Sequence, residues 1–165
     1  MKKISLVVLA VCSLLLVACK KPVEQENFKV KFEVKYKPNH ESNWVDVKEG
    51  TVITIEKPNS DNPSKPDEYV FDGKIFTDTE FMVVIDAVRD YQEGTTDYHC
   101  TNECKDGNGQ KTETITPEMS VTKDDGMLLQ WHCTPKNAGN NIVSLTLYPK
   151  DEPKNKLTFK INFKK

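Results

Sequence analysis

Leu157-Thr158-Phe159-Lys160-Ile161-Asn162-Phe163 decides the fold. Apolar and polar residues alternate with a period of two, the signature of a strand with one buried face and one wet face. Ile142–Tyr148 repeats the pattern, and a turn containing Asp151, Pro153 and Asn155 joins the two into a predicted hairpin. The same alternation opens the body of the chain. Phe28, Val30, Phe32, Val34 and Tyr36 are separated by Lys29, Lys31, Glu33 and Lys35.

Between these ends, further strands are predicted at Trp44–Val47, Thr51–Glu56, Glu68–Phe71, Ile75–Phe76, Phe81–Val88, Asp97–Cys100, Thr112–Ile115, Met119–Thr122 and Met127–Cys133. Lys57–Asp67 carries three prolines and is a loop. No stretch sustains a helical stripe. Short strands punctuated by Gly, Pro, Asn and Asp point to a sandwich or barrel, and one-sided alternation fits two antiparallel sheets packed face to face. Phe28–Glu56 is a candidate for a small extra lobe.

The N-terminus has a different character. Lys2 and Lys3 precede an apolar run, Ile4–Val17, that is too short to span a bilayer as a helix, which needs about 20 apolar residues. Length and flanks identify a secretion signal. The run ends in Leu16-Val17-Ala18-Cys19, which resembles the bacterial lipobox. That resemblance implies cleavage before Cys19, diacylation of its thiol and essentially permanent membrane anchoring. Residues 1–18 are thus expected to be a lipoprotein signal peptide, 19–27 a lipidated tether and 28–165 the folded domain. Position 20 is Lys rather than Asp. By resemblance to the enterobacterial sorting rule, this argues for the outer membrane, on its periplasmic or cell-surface face.

The formal net charge is −2, and it falls to about −4 once Lys2 and Lys3 leave with the signal. A nucleic-acid partner wants a basic patch, so none is expected. Of five cysteines, Cys12 leaves with the signal and Cys19 takes the lipid. Cys100, Cys104 and Cys133 enter an oxidising compartment, where disulfides persist. Tyr98-His99-Cys100 and Trp131-His132-Cys133 echo one another. If both triplets turn their aromatic residue and cysteine inward, Cys100 and Cys133 bridge two strands, with Tyr98 and Trp131 beside them and His99 and His132 outside. Such a bridge closes about thirty residues and is worth roughly 3 kcal/mol. Cys104 in place of Cys100, or a Cys100–Cys104 bridge, are the alternatives.

His99, Cys100, Cys104, His132 and Cys133 are also plausible zinc-ligand types, but adjacent residues on a strand point to opposite faces. No metal or cofactor is therefore expected. Asp106-Gly107-Asn108-Gly109 is a turn signal; as a calcium loop it would need an acid where Pro117 stands. There is no Gly-x-Ser-x-Gly elbow, phosphate loop or His-Glu-x-x-His, and His40 sits in a polar loop without an obvious partner. No catalytic residue is expected.

The signal, the lipobox and the all-β body resemble small lipoproteins of Bacteroidota. Glu80–Phe163 further resembles the TraQ-type family carried on conjugative transposons. The resemblance lies in Tyr91-Gln92-Glu93-Gly94-Thr95-Thr96-Asp97-Tyr98, in Leu129-Gln130-Trp131-His132-Cys133-Thr134 and in the two strands that end the chain. It implies an immunoglobulin-like antiparallel β-sandwich and a non-catalytic role linked to conjugation. The chain is then expected to act as a membrane-tethered module that binds another envelope protein. Edge strands and the Lys57–Asp67 and Thr101–Gln110 loops would make the contacts. A ligand- or metal-capturing envelope lipoprotein using His99, His132 and a free thiol is the alternative.

Overall fold

A computed structural model describes residues 30–39, 41–107 and 109–165. The signal peptide, Cys19, the tether and His40 lie outside the described residues. Eleven strands run in chain order: β1 (Phe32–Lys37), β2 (Val45–Val47), β3 (Val52–Ile55), β4 (Tyr69–Thr77), β5 (Val83–Asp90), β6 (Thr96–Cys100), β7 (Cys104–Asp106), β8 (Thr112–Ile115), β9 (Met127–Thr134), β10 (Asn140–Pro149) and β11 (Leu157–Lys164).

One sheet has the order β2-β1-β4-β9-β6-β7 and the other β3-β11-β10-β5-β8. Within them, β1-β4-β9-β6 follow the A-B-E-D order of an immunoglobulin-like sandwich, and β11-β10-β5 follow G-F-C. The predicted hairpin forms in the register that alternation demands, with Val143 opposite Ile161 and Leu145 opposite Phe159. Those inward residues face Phe71 and Ile75 of β4 and Leu129 and Trp131 of β9, all essentially without solvent exposure. Each large apolar side chain buried this way contributes about 1.5–3 kcal/mol.

Several expectations change. Glu68–Phe71 and Ile75–Phe76 belong to one nine-residue strand, β4. Gly73 does not break it but lets it pack, because a Cβ there would meet the Phe71 ring at 2.5 Å and the Leu129 carbonyl at 2.9 Å. Met119–Thr122 makes only isolated bridges, Phe81 to Val121 and Thr122 to Gly126. β7 forms inside the predicted Thr101–Gln110 loop. β3 runs parallel to β11, so the second sheet is mixed rather than wholly antiparallel. Alternation reports which face is buried, not which way a strand runs. Among the described residues, no separate lobe forms before residue 56: β1 and β2 extend the first sheet and β3 the second.

Candidate functional site

The two aromatic-His-Cys triplets meet, but one residue out of phase. Strands β6 and β9 pair with Tyr98 opposite His132, His99 opposite Trp131 and Cys100 opposite Gln130. On β9, Trp131 and Cys133 face the core; on β6, Asp97 and His99 share that face. The expected Cys100–Cys133 bridge therefore does not form. Cys133 lies opposite Asp97, three rungs and about 10 Å along the ladder from Cys100, and on the other face. Cys100 instead bonds Cys104, its direct partner across the β6–β7 hairpin. Cys133 is a buried free thiol. Burial, with the charges of Asp97 and Glu68, pushes its ionisation well above the ordinary range, so it stays protonated and a poor nucleophile.

The same register separates the zinc-ligand types. His99 is on the inner face, His132 on the outer face, and Cys100 and Cys104 are consumed by the disulfide. Among the described residues, no group of three or more His, Cys, Asp or Glu side chains is placed to hold a metal.

A polar cluster does form, at one end of the core. Val83, Ile85, Ala87 and Arg89 occupy the inward positions of β5, so alternation carries a guanidinium into the sandwich. Arg89 Nε donates to Asp97 Oδ2 at 2.7 Å, and its Nη2 donates to Glu113 Oε2 at 2.7 Å. Trp131 Nε1 donates to Asp97 Oδ2 at 2.8 Å and to Tyr91 Oη at 3.0 Å. Tyr91 Oη donates to the same carboxylate oxygen at 3.1 Å. The Arg89 guanidinium carbon lies 5.0 Å from the Trp131 ring centre, and the His99 ring stacks on that indole at 5.1 Å.

Burial alone would lower the Arg89 pKa, but the bonds to Asp97 and Glu113 outweigh it and hold the cation. Burial and the Asp97 charge push Tyr91 far upward, so its hydroxyl remains a donor. Gly107 caps the cluster. Its N–H donates to the Asp97 carbonyl at 3.0 Å, and a Cβ there would lie 2.0 Å from Asp97 Oδ1. Of the predicted Asp-Gly-Asn-Gly turn, Asp106 ends β7 and Gln110 N–H donates to the Gly107 carbonyl at 3.0 Å, while Asn108 lies outside the described residues.

Beside this cluster a cleft of about 480 Å³ opens, with His99, Glu103, Lys105, Glu113, Glu118 and Met119 among its walls. His99 is 1% exposed, and its Nδ1 stands 3.9 Å from Glu113 Oε2 without a hydrogen-bond partner. Burial, aided by the Arg89 and Lys105 charges, lowers its pKa against the pull of Glu113 and Asp97, so the ring is neutral.

A second cluster lies on the outer face, under the 57–67 loop. Glu68 is 1% exposed and accepts from Ser60 Oγ at 2.8 Å. His132 Nδ1 lies 3.1 Å from it and Lys65 Nζ 3.2 Å. Burial would raise the Glu68 pKa, but these bonds together pull it below the usual carboxylate range. The His132 ring stacks on Tyr98 at 4.2 Å, with Lys65 Nζ 4.0 Å from the Tyr98 ring centre. The Asn59 side chain clips the loop to β4, pairing with both Val70 N–H and Val70 carbonyl. The loop is therefore fastened to the sheet.

Of the predicted residues, His99 and His132 thus enter two different polar clusters. Arg89 and Glu68 were not singled out in the sequence. Arg89 carried a signal: it is a charge at an inward position of a period-two strand.

Among solved structures, the chain is similar to the N-terminal domain of PorA, with a TM-score of 0.56 and 14% identity over 81% of this chain and 96% of that one. At that identity the likeness is one of fold. A crystal structure from Francisella tularensis str. tularensis SCHU S4 aligns with a TM-score of 0.39 and 8% identity over 69% of this chain and 89% of that one. The ASH / PapD-like domain 7 of human CEP192 aligns with a TM-score of 0.30 and 12% identity over 82% and 84%. No family model and no curated protein matches the chain. An all-β, immunoglobulin-like sandwich with a buried polar cluster at one end is what the described residues build.

Proposed function

We propose that this chain is a lipid-anchored, non-catalytic interaction module of the bacterial envelope. The signal peptide delivers it, Cys19 carries the acyl chains, and the short tether keeps the sandwich beside the outer membrane. The body binds another envelope protein through its edge strands and end loops. The TraQ-type resemblance supports a place in conjugal transfer.

One observation carries this reading: the chemistry-bearing side chains are turned on one another. Arg89, Asp97, Tyr91 and Trp131 saturate a buried network, and Glu68 is held by Ser60, His132 and Lys65. Cys133 is buried and protonated. What the ends of the sandwich offer to solvent is strand edge and loop, the surfaces by which such folds bind. The fold shared with a domain of PorA supports a modular role.

Two measurements on cells test it. Radiolabelled palmitate should enter the wild-type chain and not Cys19→Ala. In vivo crosslinking should join the wild-type body to one reproducible envelope protein. A palmitate-free wild-type chain refutes the anchor, and the absence of any specific adduct refutes the module.

A further inference from the structure

β7 and β8 are the last strands of their two sheets, on the same side of the sandwich, and the 480 Å³ cleft opens between them. In an antiparallel pair, backbone groups alternate between bonding the partner and facing away. Arg89 N–H donates to the Lys111 carbonyl at 2.8 Å. In the same phase, Ala87–Glu113 and Ile85–Ile115 are the bonded pairs of β5 and β8. Thr112 and Thr114 therefore turn their N–H and carbonyl groups toward the open edge. Natural edges are guarded by shortness, an inward charge, proline, lysine or a bulge; β8 is short, and its one charge, Glu113, is already neutralised by Arg89. Within Thr112-Glu113-Thr114-Ile115 there is neither proline nor lysine.

The walls add two further constraints. Glu103, Glu113 and Glu118 share the walls with a single lysine, Lys105, and behind them the one Arg89 guanidinium is divided between Asp97 and Glu113. The cleft thus carries an excess of negative charge, which favours a cation. In the same wall, the buried His99 leaves Nδ1 unpartnered, 3.9 Å from Glu113 Oε2.

We propose that this cleft takes an extended segment of a partner protein, which adds as a strand along the free edge of β8 and places a lysine or arginine among Glu103, Glu113 and Glu118. The inference rests on the reading of the chain as an interaction module and names the surface and chemistry of that interaction. Main-chain bonds to Thr112 and Thr114 would supply affinity, and the basic side chain would supply register and selectivity.

The probe is a fluorescein-labelled ten-residue peptide of alternating threonine and valine with one central lysine, titrated with the full-length chain in detergent. Anisotropy should saturate. Exchanging the peptide's lysine for glutamate, or Glu118→Gln in the protein, should weaken binding about tenfold. Methylating the peptide's backbone nitrogens should abolish it. Equal binding by the methylated peptide, equal binding by the glutamate peptide, or no saturation up to millimolar protein overturns the proposal. A benzophenone amino acid replacing Met119, or replacing Val52 on the far edge strand β3, separates this inference from its premise. Adducts through position 119 are expected. Adducts at position 52 alone, or at neither position, overturn the cleft, whereas the module itself is overturned only when the whole body forms no specific adduct in cells.

Discussion

Asp97→Asn changes one oxygen to a nitrogen at the centre of the buried cluster. In the native protein, Asp97 Oδ2 receives Arg89 Nε at 2.7 Å, Trp131 Nε1 at 2.8 Å and Tyr91 Oη at 3.1 Å. The Arg89 and Asp97 side chains are 3% and 2% exposed, so solvent cannot replace the lost charge. Removing one member of a buried ion pair costs about 3–5 kcal/mol, because the partner is left charged and dry. Glu113 still neutralises part of Arg89 at 2.7 Å, which places the expected loss at about 3 kcal/mol. For a domain of this size that lowers Tm by about 10 °C. Urea unfolding followed by Trp131 fluorescence and circular dichroism measures it directly. The combined variant Arg89→Met, Asp97→Leu and Glu113→Gln removes all three charges and should be less destabilised than Asp97→Asn, since well-packed neutral groups replace buried ion pairs at little net loss. A loss below about 1 kcal/mol for Asp97→Asn, or a combined variant worse than the single, would refute the assignment of these charges as a mutually dependent buried unit.

Acid should weaken the fold early. His99 and His132 have pKa values lowered first of all by burial, so the unfolded chain takes up protons near pH 6.5 that the native state refuses. Stability is then complete above that pH and declines below it, by up to about 1.4 kcal/mol per pH unit for each histidine. Urea midpoints from pH 7.5 to 5 should fall, and His99→Gln should flatten the slope; a level wild-type profile contradicts the burial argument. Replacing Cys104 by serine opens a five-residue cross-link worth about 2 kcal/mol by chain entropy and should speed hydrogen exchange in β7. Unchanged exchange would mean the hairpin holds without its bridge. Gly107→Ala forces a Cβ toward Asp97 Oδ1, which would lie only 2.0 Å away, and should lose more than about 2 kcal/mol in the same denaturation assay.

The strands were legible because alternation is a local property. Val143, Leu145 and Leu147 against Phe159, Ile161 and Phe163 announce their buried face without reference to anything distant. Pairing partners and phase are not local. Nothing within Tyr98-His99-Cys100 or Trp131-His132-Cys133 states that the two strands meet with His99 opposite Trp131. A slip of one residue exchanges faces, and that slip is the difference between a Cys100–Cys133 bridge and the hairpin disulfide. The parallel β3–β11 pair was hidden for the same reason. Glu68 was hidden because its partners, Ser60, Lys65 and His132, come from a loop and a distant strand.

The buried cluster and the open edge are one construction. β8 is a four-residue edge strand with only β5 beside it, too short to hold its place by ladder bonds alone. Arg89 fastens it: one arm holds Glu113 of β8, a second donates to the Gln110 carbonyl just before it, and Nε reaches across the sandwich to Asp97 of β6. Asp97 in turn receives Trp131 of β9, and Gly107 lets the β7–β8 connection close over the pair. The disulfide fixes the other rim by tying β7 to β6. Both walls of the cleft are therefore set before any partner arrives, which reduces the ordering that binding would otherwise require. A surface of this kind can be narrow and still selective, because the charge that a partner must match is held in place by charges the partner never touches.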